Sequence, residues 1–340
     1  MKLHPFKATH PAAGYFQAVA APPYDVINTA EARAIAEGNP RSFLHVTRPE
    51  IDMDESVDIH DQEVYVQGAK ALSEFLQTGI LVTDDTPSLW VYRLDMGSMS
   101  QVGIVGCADV DDYVSDRIKK HEFTRPDKED DRTTHVNTLG AHTGPVFLTC
   151  RDDGQLTALA AAMSGGMPAA DFVGYGDVRH RVWCVSEPEV LAQFEAVFDP
   201  MDAFYIADGH HRAASAARVS ALRGPSHGDE PSVAPWSRFL TVVFPDNQVE
   251  ILAYNRVVHD LNGLGDDAFL ARLDQAFEVS GPGATPVPGD RHSFGMFLAG
   301  TWRQVTLREG VVDEEDPIKR LDVAVLQDLV LAPILGVHDP

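Results

Sequence analysis

The chain lacks the residue patterns that mark several large protein classes. Its three cysteines, Cys107, Cys150 and Cys184, stand singly in apolar runs, a pattern that indicates neither a disulfide framework nor a thiolate zinc site. No run of about 18 apolar residues occurs, and the N-terminus has no apolar signal core, so neither a membrane helix nor a secretory signal is predicted. We therefore expect a soluble, cytoplasmic protein with reduced cysteines.

Basic residues are also scarce. The 340 residues include 27 lysines and arginines against 51 aspartates and glutamates, which gives a formal net charge of −24. Such a surface repels the phosphates of nucleic acids and of anionic membranes, so neither is expected as a partner. A site for an anionic ligand therefore has to be a local cationic pocket.

The common catalytic signatures are missing as well. The sequence has no Gly-x-x-x-x-Gly-Lys-Ser/Thr phosphate loop, no dinucleotide fingerprint and no His-Glu-x-x-His or Gly-x-Ser-x-Gly motif. Its adjacent histidines, His210 and His211, would point about 100° apart on a helix and would not both bind one zinc ion. The usual nucleotide, zinc and serine-hydrolase interpretations are therefore weak.

The most informative stretch joins an apolar, aromatic run of strand length to an alanine-rich helical pattern. The break at Asp208-Gly209 predicts a tight turn, with Asp208 capping the helix and Gly209 allowing a close approach. His210, His211 and Arg212 then fall in the first helical turn, where free N–H groups and the helix dipole favour an anion. This motif predicts a phosphate or carboxylate site, and ordinary turn chemistry is the alternative.

A second charged region, residues 119–135, precedes this motif. Pro126 and Asp127 suit the first turn of a helix that continues to about Ala141. On that helix four cationic or titratable residues would share one face, namely Lys128, Arg132, His135 and His142. The alternative is a solvated helix whose lysine and arginine answer the neighbouring carboxylates.

Glu122 lies just before that helix, beside His121 and Arg125, a grouping typical of a carboxylate poised for chemistry. Nearer the N-terminus, two consecutive prolines fix the backbone before Asp25 and hold its side chain in a defined direction. Arg48 follows a predicted strand and either binds a substrate carboxylate or is an ordinary exposed arginine.

Strand and helix patterns alternate along the chain, which predicts an α/β fold, specifically an α+β mixed sheet with flanking helices. The predicted strands include residues 42–46, 89–94, 101–113, 143–150, 180–185, 203–208, 239–244, 249–258, 293–298 and 301–307. Three pairs of them are expected to form hairpins: 89–94 with 101–113, 239–244 with 249–258, and 293–298 with 301–307 around Ala299-Gly300. The predicted helices include residues 63–76, 127–141, 156–163, 188–198, 266–277 and 318–335. We expect an N-terminal α/β region over residues 1–200, containing Glu122, and a second region over residues 201–340, or one intertwined domain.

Two resemblances extend this interpretation. Ala-Asp-Gly-His-His-Arg-Ala-Ala at residues 207–214 resembles the signature box of the ParB/sulfiredoxin-like group, in particular its free-serine kinases. Nearly the whole chain also resembles an uncharacterised family known only as a domain of unknown function. The second resemblance is carried by Ala-Pro-Pro-Tyr-Asp at 21–25, Ser-Phe-Leu-His-Val-Thr-Arg-Pro-Glu at 42–50, Ile-Lys-Lys-His-Glu at 118–122 and Phe-Pro-Asp-Asn at 244–247.

The resemblance to the kinases implies a ParB/sulfiredoxin-like core with additional strands and helices. It also implies that Asp208, His210, His211 and Arg212 line a phosphate site. Glu122 would correspond to the acidic residue of the Glu-Asn-x-x-Arg box in ParB-like nucleotide hydrolases.

The leading functional hypothesis is phosphoryl transfer from ATP or ADP to the hydroxyl of a small metabolite such as free L-serine. The expected catalytic residues are Glu122, Asp208 and His211. The expected cofactor-binding residues are Gly209, His210, His211, Arg212, Lys128 and Arg132. The expected substrate-binding residues are Asp25, Arg48, His121 and Arg125. Mg²⁺ would be held by Glu122 and Asp208, and Glu122 would accept the hydroxyl proton.

Two alternatives stay open. One is a nucleotide-binding switch that binds a protein partner with weak or no hydrolysis. The other is a metal-dependent hydrolase that uses His121, His210 and Asp208. A homodimer is also left open, and each hypothesis requires the Glu122 segment to lie against the Asp208 motif.

Overall fold

The chain forms two units, Met1–Ile251 and Leu252–Pro340, each with its own core. The computed structural model describes residues 1–224, 234–253, 255–283 and 287–338.

The strands of the first unit are β1 (Thr9–Pro11), β2 (Leu81–Thr83), β3 (Leu89–Met96), β4 (Met99–Asp109), β5 (Ile118–Lys119), β6 (Val146–Cys150), β7 (Ala170–Val173), β8 (Arg179–Val185), β9 (Phe204–Asp208) and β10 (Arg238–Pro245). Its helices are α1 (Phe16–Val19), α2 (Thr29–Ala36), α3 (Leu44–Thr47), α4 (Gln62–Gln77), α5 (Val110–Val114), α6 (Pro126–Leu139), α7 (Gln155–Met163), α8 (Pro188–Phe198) and α9 (His210–Arg223).

An eight-stranded mixed sheet lies at the centre of this unit, in the order β5-β9-β6-β10-β4-β3-β8-β7. Neighbouring strands are antiparallel, except that β5 is parallel to β9 and β6 is parallel to β10. Helices α7, α8 and α9 bury Leu156, Phe194 and Ala213 in the same core as the sheet. The predicted mixed α/β fold with flanking helices is confirmed, and the ParB/sulfiredoxin-like core stays a prediction.

The predicted division after residue 200 falls inside the first unit. Strand β9 pairs with β5 on one side and with β6 on the other, so the sheet joins residues from both sides of that point. The sheet of the first unit, which extends to Ile251, therefore contains strands from both predicted regions.

Residues 42–46, predicted to be a strand, form a helical turn instead. The helix α3 begins at Leu44, whose backbone N–H donates to Ser42 Oγ at 3.3 Å. Leu44 and Val46 are both fully buried in helical surroundings. A short apolar run of this kind fits a buried helix as well as a buried strand, and packing decides between them.

The hairpin predicted to pair residues 239–244 with residues 249–258 is wrong for the described residues, which contain no strand after Pro245 in this segment. Strand β10 already has β4 on one edge and β6 on the other, so it has no free edge for a third partner. Gln248 Oε1 instead accepts a hydrogen bond from the Val102 backbone N–H at 2.8 Å, which turns the chain back onto β4.

The described residues of the second unit form a smaller sheet and short helices. Its elements are α10 (Asp266–Leu273), β11 (Phe277–Val279), β12 (Ser293–Leu298), β13 (Thr301–Leu307) and α11 (Asp322–Leu326). The antiparallel order β11-β13-β12 confirms the predicted hairpin of residues 293–307. The α-helix predicted over 318–335 is shorter in the structure. It begins at Asp322, and a π-helical segment, Gln327–Leu331, follows α11 directly. Within the described parts of the chain, no helix has both the length and the hydropathy to cross a bilayer.

Candidate functional site

The two chemically rich segments lie side by side because α6 and α9 run parallel to each other. Arg218 Nη1 lies 3.4 Å from Glu129 Oε2, and Arg223 Nε lies 3.1 Å from Asn137 Oδ1. These pairs are 89 and 86 residues apart along the chain, and so constant a separation requires both helices to run in the same direction. Both N-termini, with their positive dipole ends, therefore lie at the same end of the pair.

Glu122 lies next to the N-terminus of α9. His210 Nδ1 lies 3.4 Å from Glu122 Oε2, and the His210 and His121 rings are edge to face with centroids 4.4 Å apart. The His210 side chain is 4% exposed, whereas that of Glu122 is 59% exposed. Burial lowers the pKa of His210, and His121 lowers it further, so the ring is neutral near pH 7. The site thus pairs an accessible carboxylate with a buried neutral imidazole.

His211 holds the loop that carries Glu122. Its Nε2 accepts a hydrogen bond from the Arg125 backbone N–H at 3.2 Å. Because Nε2 is the acceptor, only Nδ1 is left to donate to a ligand. The Arg125 side chain is 70% exposed and pairs with Asp127 at 2.9 Å. His121, Glu122, Arg125, His210 and His211 therefore form one neighbourhood, as the functional hypotheses require.

Arg212 connects three other segments. Its guanidinium donates to the Pro145 carbonyl and to the Asp208 carboxylate, and its Nη2 lies 3.7 Å from Asp25 Oδ2. At Gly209 the backbone φ is +93°, and a Cβ there would lie 3.1 Å from Arg212 Cζ. Glycine is thus required both by the left-handed turn and by the closeness of the guanidinium.

The predicted capping of α9 by Asp208 is wrong. Gly209 occupies the N-cap position, and no side-chain capping hydrogen bond is present there among the described residues. The Asp208 carboxylate turns instead to Arg212, four residues along the chain, and its side chain stays 65% exposed. An ion pair with the guanidinium has replaced the cap.

Asp25 lies in a second neighbourhood, next to the first. The Arg132 guanidinium lies 4.2 Å from the centre of the Tyr24 ring and pairs with Asp131 at 2.7 Å. Arg48 Nη1 donates to the Tyr24 carbonyl at 3.0 Å. These contacts fix the segment before Asp25, whose side chain is 41% exposed and points toward Arg212.

Arg48 is fully engaged by protein groups. Its Nε donates to Glu50 Oε1 at 2.7 Å and its Nη2 to Thr29 Oγ1 at 3.0 Å, in addition to the bond to the Tyr24 carbonyl. Glu50 is 8% exposed. These bonds indicate that Arg48 acts as a clamp between the N-terminal segments and not as a free arginine that binds a substrate carboxylate.

The four cationic residues predicted along α6 do not form a continuous charged surface. His135 is fully buried, and its Nε2–H donates to the Val46 carbonyl at 3.0 Å. Burial also lowers the pKa of His142, and Arg132 is paired. Lys128 is exposed and has no ion pair with any described residue. His135 faces α3 and α4, where it bonds to the Val46 carbonyl and its ring lies edge-on to Tyr65.

The buried His135 predicts an acid-sensitive stability. Burial lowers its pKa from 6.5 to about 4, so between these pH values the unfolded chain binds a proton that the folded chain does not. The free energy of unfolding should therefore fall as the pH drops from 6.5 to 4, by about 3 kcal/mol from this residue. Urea unfolding across this range measures the slope. His135→Gln, which keeps a donor for Val46, should have a shallower slope, and equal slopes would contradict the assignment.

A cavity of about 20 Å³ lies between the second neighbourhood and α6, bordered by Tyr24, Arg132, His135 and Arg212. It has room for about one water molecule. Pockets for drug-sized ligands measure about 300–1,000 Å³, so this cavity does not hold a nucleotide.

Sequence reasoning missed the residues that bring the site together. Arg218 joins α9 to Glu129 and Asp130, and the Tyr65 hydroxyl donates to Asp131 at 2.9 Å. The sequence signal that could have indicated these contacts was charge complementarity, because one predicted helix has a run of acidic residues and the other has arginines. It became usable only once the two helices were known to be neighbours.

Residues 3–324 match the model of a family described as "Protein of unknown function (DUF1015)". No curated protein and no solved structure matches the chain. The family match includes the Glu122 segment, the Asp208 motif and most of the second unit. The chain therefore belongs to this family of unknown function.

Proposed function

We propose that the protein transfers a phosphoryl group from ATP or ADP to the hydroxyl of a small metabolite, with free L-serine as the first acceptor to test. The observation that carries this proposal is the position of Glu122, an exposed carboxylate 3.4 Å from His210 at the N-terminus of α9. The resemblance of residues 207–214 to the free-serine kinases supports the same reaction and a ParB/sulfiredoxin-like core.

The phosphates would bind where α6 and α9 begin. Two parallel helices direct unpaired N–H groups and positive dipole ends to this place, which favours an anion despite the acidic surface. The His211 Nδ1–H adds a donor, and Lys128 is exposed near the start of α6. Arg212 would act mainly by fixing Gly209 and the turn, because its guanidinium is bound to Asp208 and Pro145.

Glu122 would accept the proton of the attacking hydroxyl. Its side chain is 59% exposed, so a substrate can reach it, and the reaction needs positioning and charge neutralisation more than covalent help. Mg²⁺ prefers oxygen ligands and usually keeps several waters, so one carboxylate and the nucleotide phosphates suffice for it. Either Glu122 or the exposed Asp208 fits that role.

The acceptor would lie between the two neighbourhoods. Arg125 is exposed, and among the described residues its one ion-pair partner is the exposed Asp127, so it is suited to a substrate carboxylate. Asp25 is suited to an ammonium group, and His121 is exposed beside Glu122. The free thiols of Cys107, Cys150 and Cys184 support the proposed cytoplasmic location.

The test is an acceptor screen with the purified full chain, Mg²⁺, ATP or ADP, and single amino acids or hydroxy metabolites. The expected result is a phosphorylated product, O-phosphoserine in the serine reaction, formed in proportion to the nucleotide consumed. Nucleotide binding without any phosphorylated product would favour the partner-binding switch. Absence of both binding and product with the common nucleotides would contradict the proposal.

A further inference from the structure

Three potential metal ligands lie close together at the N-terminus of α9. His121, Glu122 and His210 each offer one ligand atom, and these atoms all lie within 4.8 Å of one another. The His210 Nδ1 and Glu122 Oε2 atoms are 3.4 Å apart. Two ligands bound at about 2.0–2.1 Å to a tetrahedral ion lie about 3.4 Å apart, so this pair already has the required separation. Only a small movement of the exposed His121 ring is needed to bring the third ligand atom to the same separation.

The buried histidine also fixes which nitrogen would bind the ion. The His210 side chain is 4% exposed, and its Nδ1 is the nitrogen that faces Glu122. Its Nε2 is buried with no hydrogen-bond partner among the described residues, so Nε2 would carry the ring proton while Nδ1 binds the ion. The ring makes its polar contact with Glu122 and its ring contact with His121, which are the other two members of the group.

From this geometry we propose that His121, Glu122 and His210 bind one divalent transition-metal ion, with Zn²⁺ as the reference ion. Two imidazoles and a carboxylate suit such ions, whereas Mg²⁺ and Ca²⁺ prefer oxygen ligands alone. Three protein ligands also leave a coordination position for water or substrate. The metal-hydrolase alternative used Asp208 as the third ligand, whereas Glu122 is the carboxylate that lies beside both imidazoles.

This site does not rest on phosphoryl transfer, because the metal would bind whatever reaction follows. It adds a function to the loop of residues 121–125, which His211 already holds against α9. A bound metal would link the same two segments a second time. The bound chain should therefore unfold at a higher temperature than the metal-free chain.

The experiment is calorimetric titration of the untagged, chelator-stripped full chain with Zn²⁺ in the absence of nucleotide, supported by the visible absorption of bound Co²⁺. We expect one equivalent to bind, excess Mg²⁺ not to displace it, and the melting temperature to rise. His121→Asn, Glu122→Gln and His210→Asn should each weaken binding about tenfold or more. His60→Asn is the matched control, because His60 is half-exposed and pairs with Asp131 outside the group.

Several outcomes would overturn the site. They are no bound equivalent, displacement of Zn²⁺ by Mg²⁺, or equal losses of affinity in His60→Asn and His121→Asn. If the buried His210→Asn variant does not fold, the exposed His121→Asn variant carries the test, with circular dichroism as the check on its fold. The acceptor screen is run with Mg²⁺ and without transition metals, so the two proposals fail separately.

Discussion

Glu122→Gln is expected to lower the rate of phosphoryl transfer about 10²–10⁴-fold, the usual contribution of a positioned general base. Glutamine keeps the size of the side chain and a hydrogen-bonding oxygen near His210, so the loop should keep its position. It cannot accept a proton, and the attacking hydroxyl would lose its base. The measurement is the single-turnover rate with saturating nucleotide and Mg²⁺, together with nucleotide affinity by calorimetry.

The matched control is Asp116→Asn. Asp116 is an exposed carboxylate near β5 that pairs with Lys119 at 3.1 Å, whereas the carboxylate beside His210 is Glu122. It should keep both the rate and the nucleotide affinity. A Glu122→Gln enzyme as fast as the original would remove Glu122 as the base. A loss of nucleotide binding with no separate loss of rate would indicate a role in binding alone.

The elements that the sequence predicts well are those with a complete local signal. The helix α8 begins and ends at the predicted residues, and the hairpin of β12 and β13 lies where the Ala299-Gly300 turn places it. The strand-turn-helix at the Asp208 motif is also confirmed. In each case periodicity and turn residues agree within about a dozen residues, and no distant partner is needed to decide.

The predictions that are wrong concern segments whose local sequence does not decide the structure. Residues 42–46 are too short for periodicity to separate a strand from a helical turn, and the predicted strand after Pro245 fails because β10 has no free edge. Asp208 matches a helix cap locally, but the neighbouring guanidinium offers a stronger partner. Each outcome is set by contacts between segments far apart in the chain.

The candidate site shows the same division. The sequence singles out Glu122, His210 and His211, and the structure places the Glu122 segment beside the two histidines, as the hypotheses require. The continuous cationic face expected on α6 is not found, because His135 is buried and Arg132 is paired. The parallel arrangement of α6 and α9 was not predicted, since it depends on Arg218 and Arg223 reaching across to α6.

Arg48 supplies the largest expected effect on stability. Arg48→Ala should lower the free energy of unfolding by about 3–5 kcal/mol, because it leaves the buried Glu50 carboxylate without its counter-charge. The side chains of Arg48 and Glu50 are 17% and 9% exposed, so water replaces the lost contacts poorly. The variant also loses the bonds to the Tyr24 carbonyl and to Thr29. Urea unfolding at neutral pH measures the change.

Two further variants separate this clamp from a substrate-binding role. Lys70→Ala breaks an exposed pair with Glu74, 3.9 Å apart, and should cost less than about 1 kcal/mol. Adding Glu50→Gln to Arg48→Ala should recover part of the loss, because the unpaired buried charge is removed with it. If Arg48 binds the acceptor carboxylate instead, Arg48→Ala will raise the KM for the acceptor with stability nearly unchanged, and Glu50→Gln will restore nothing.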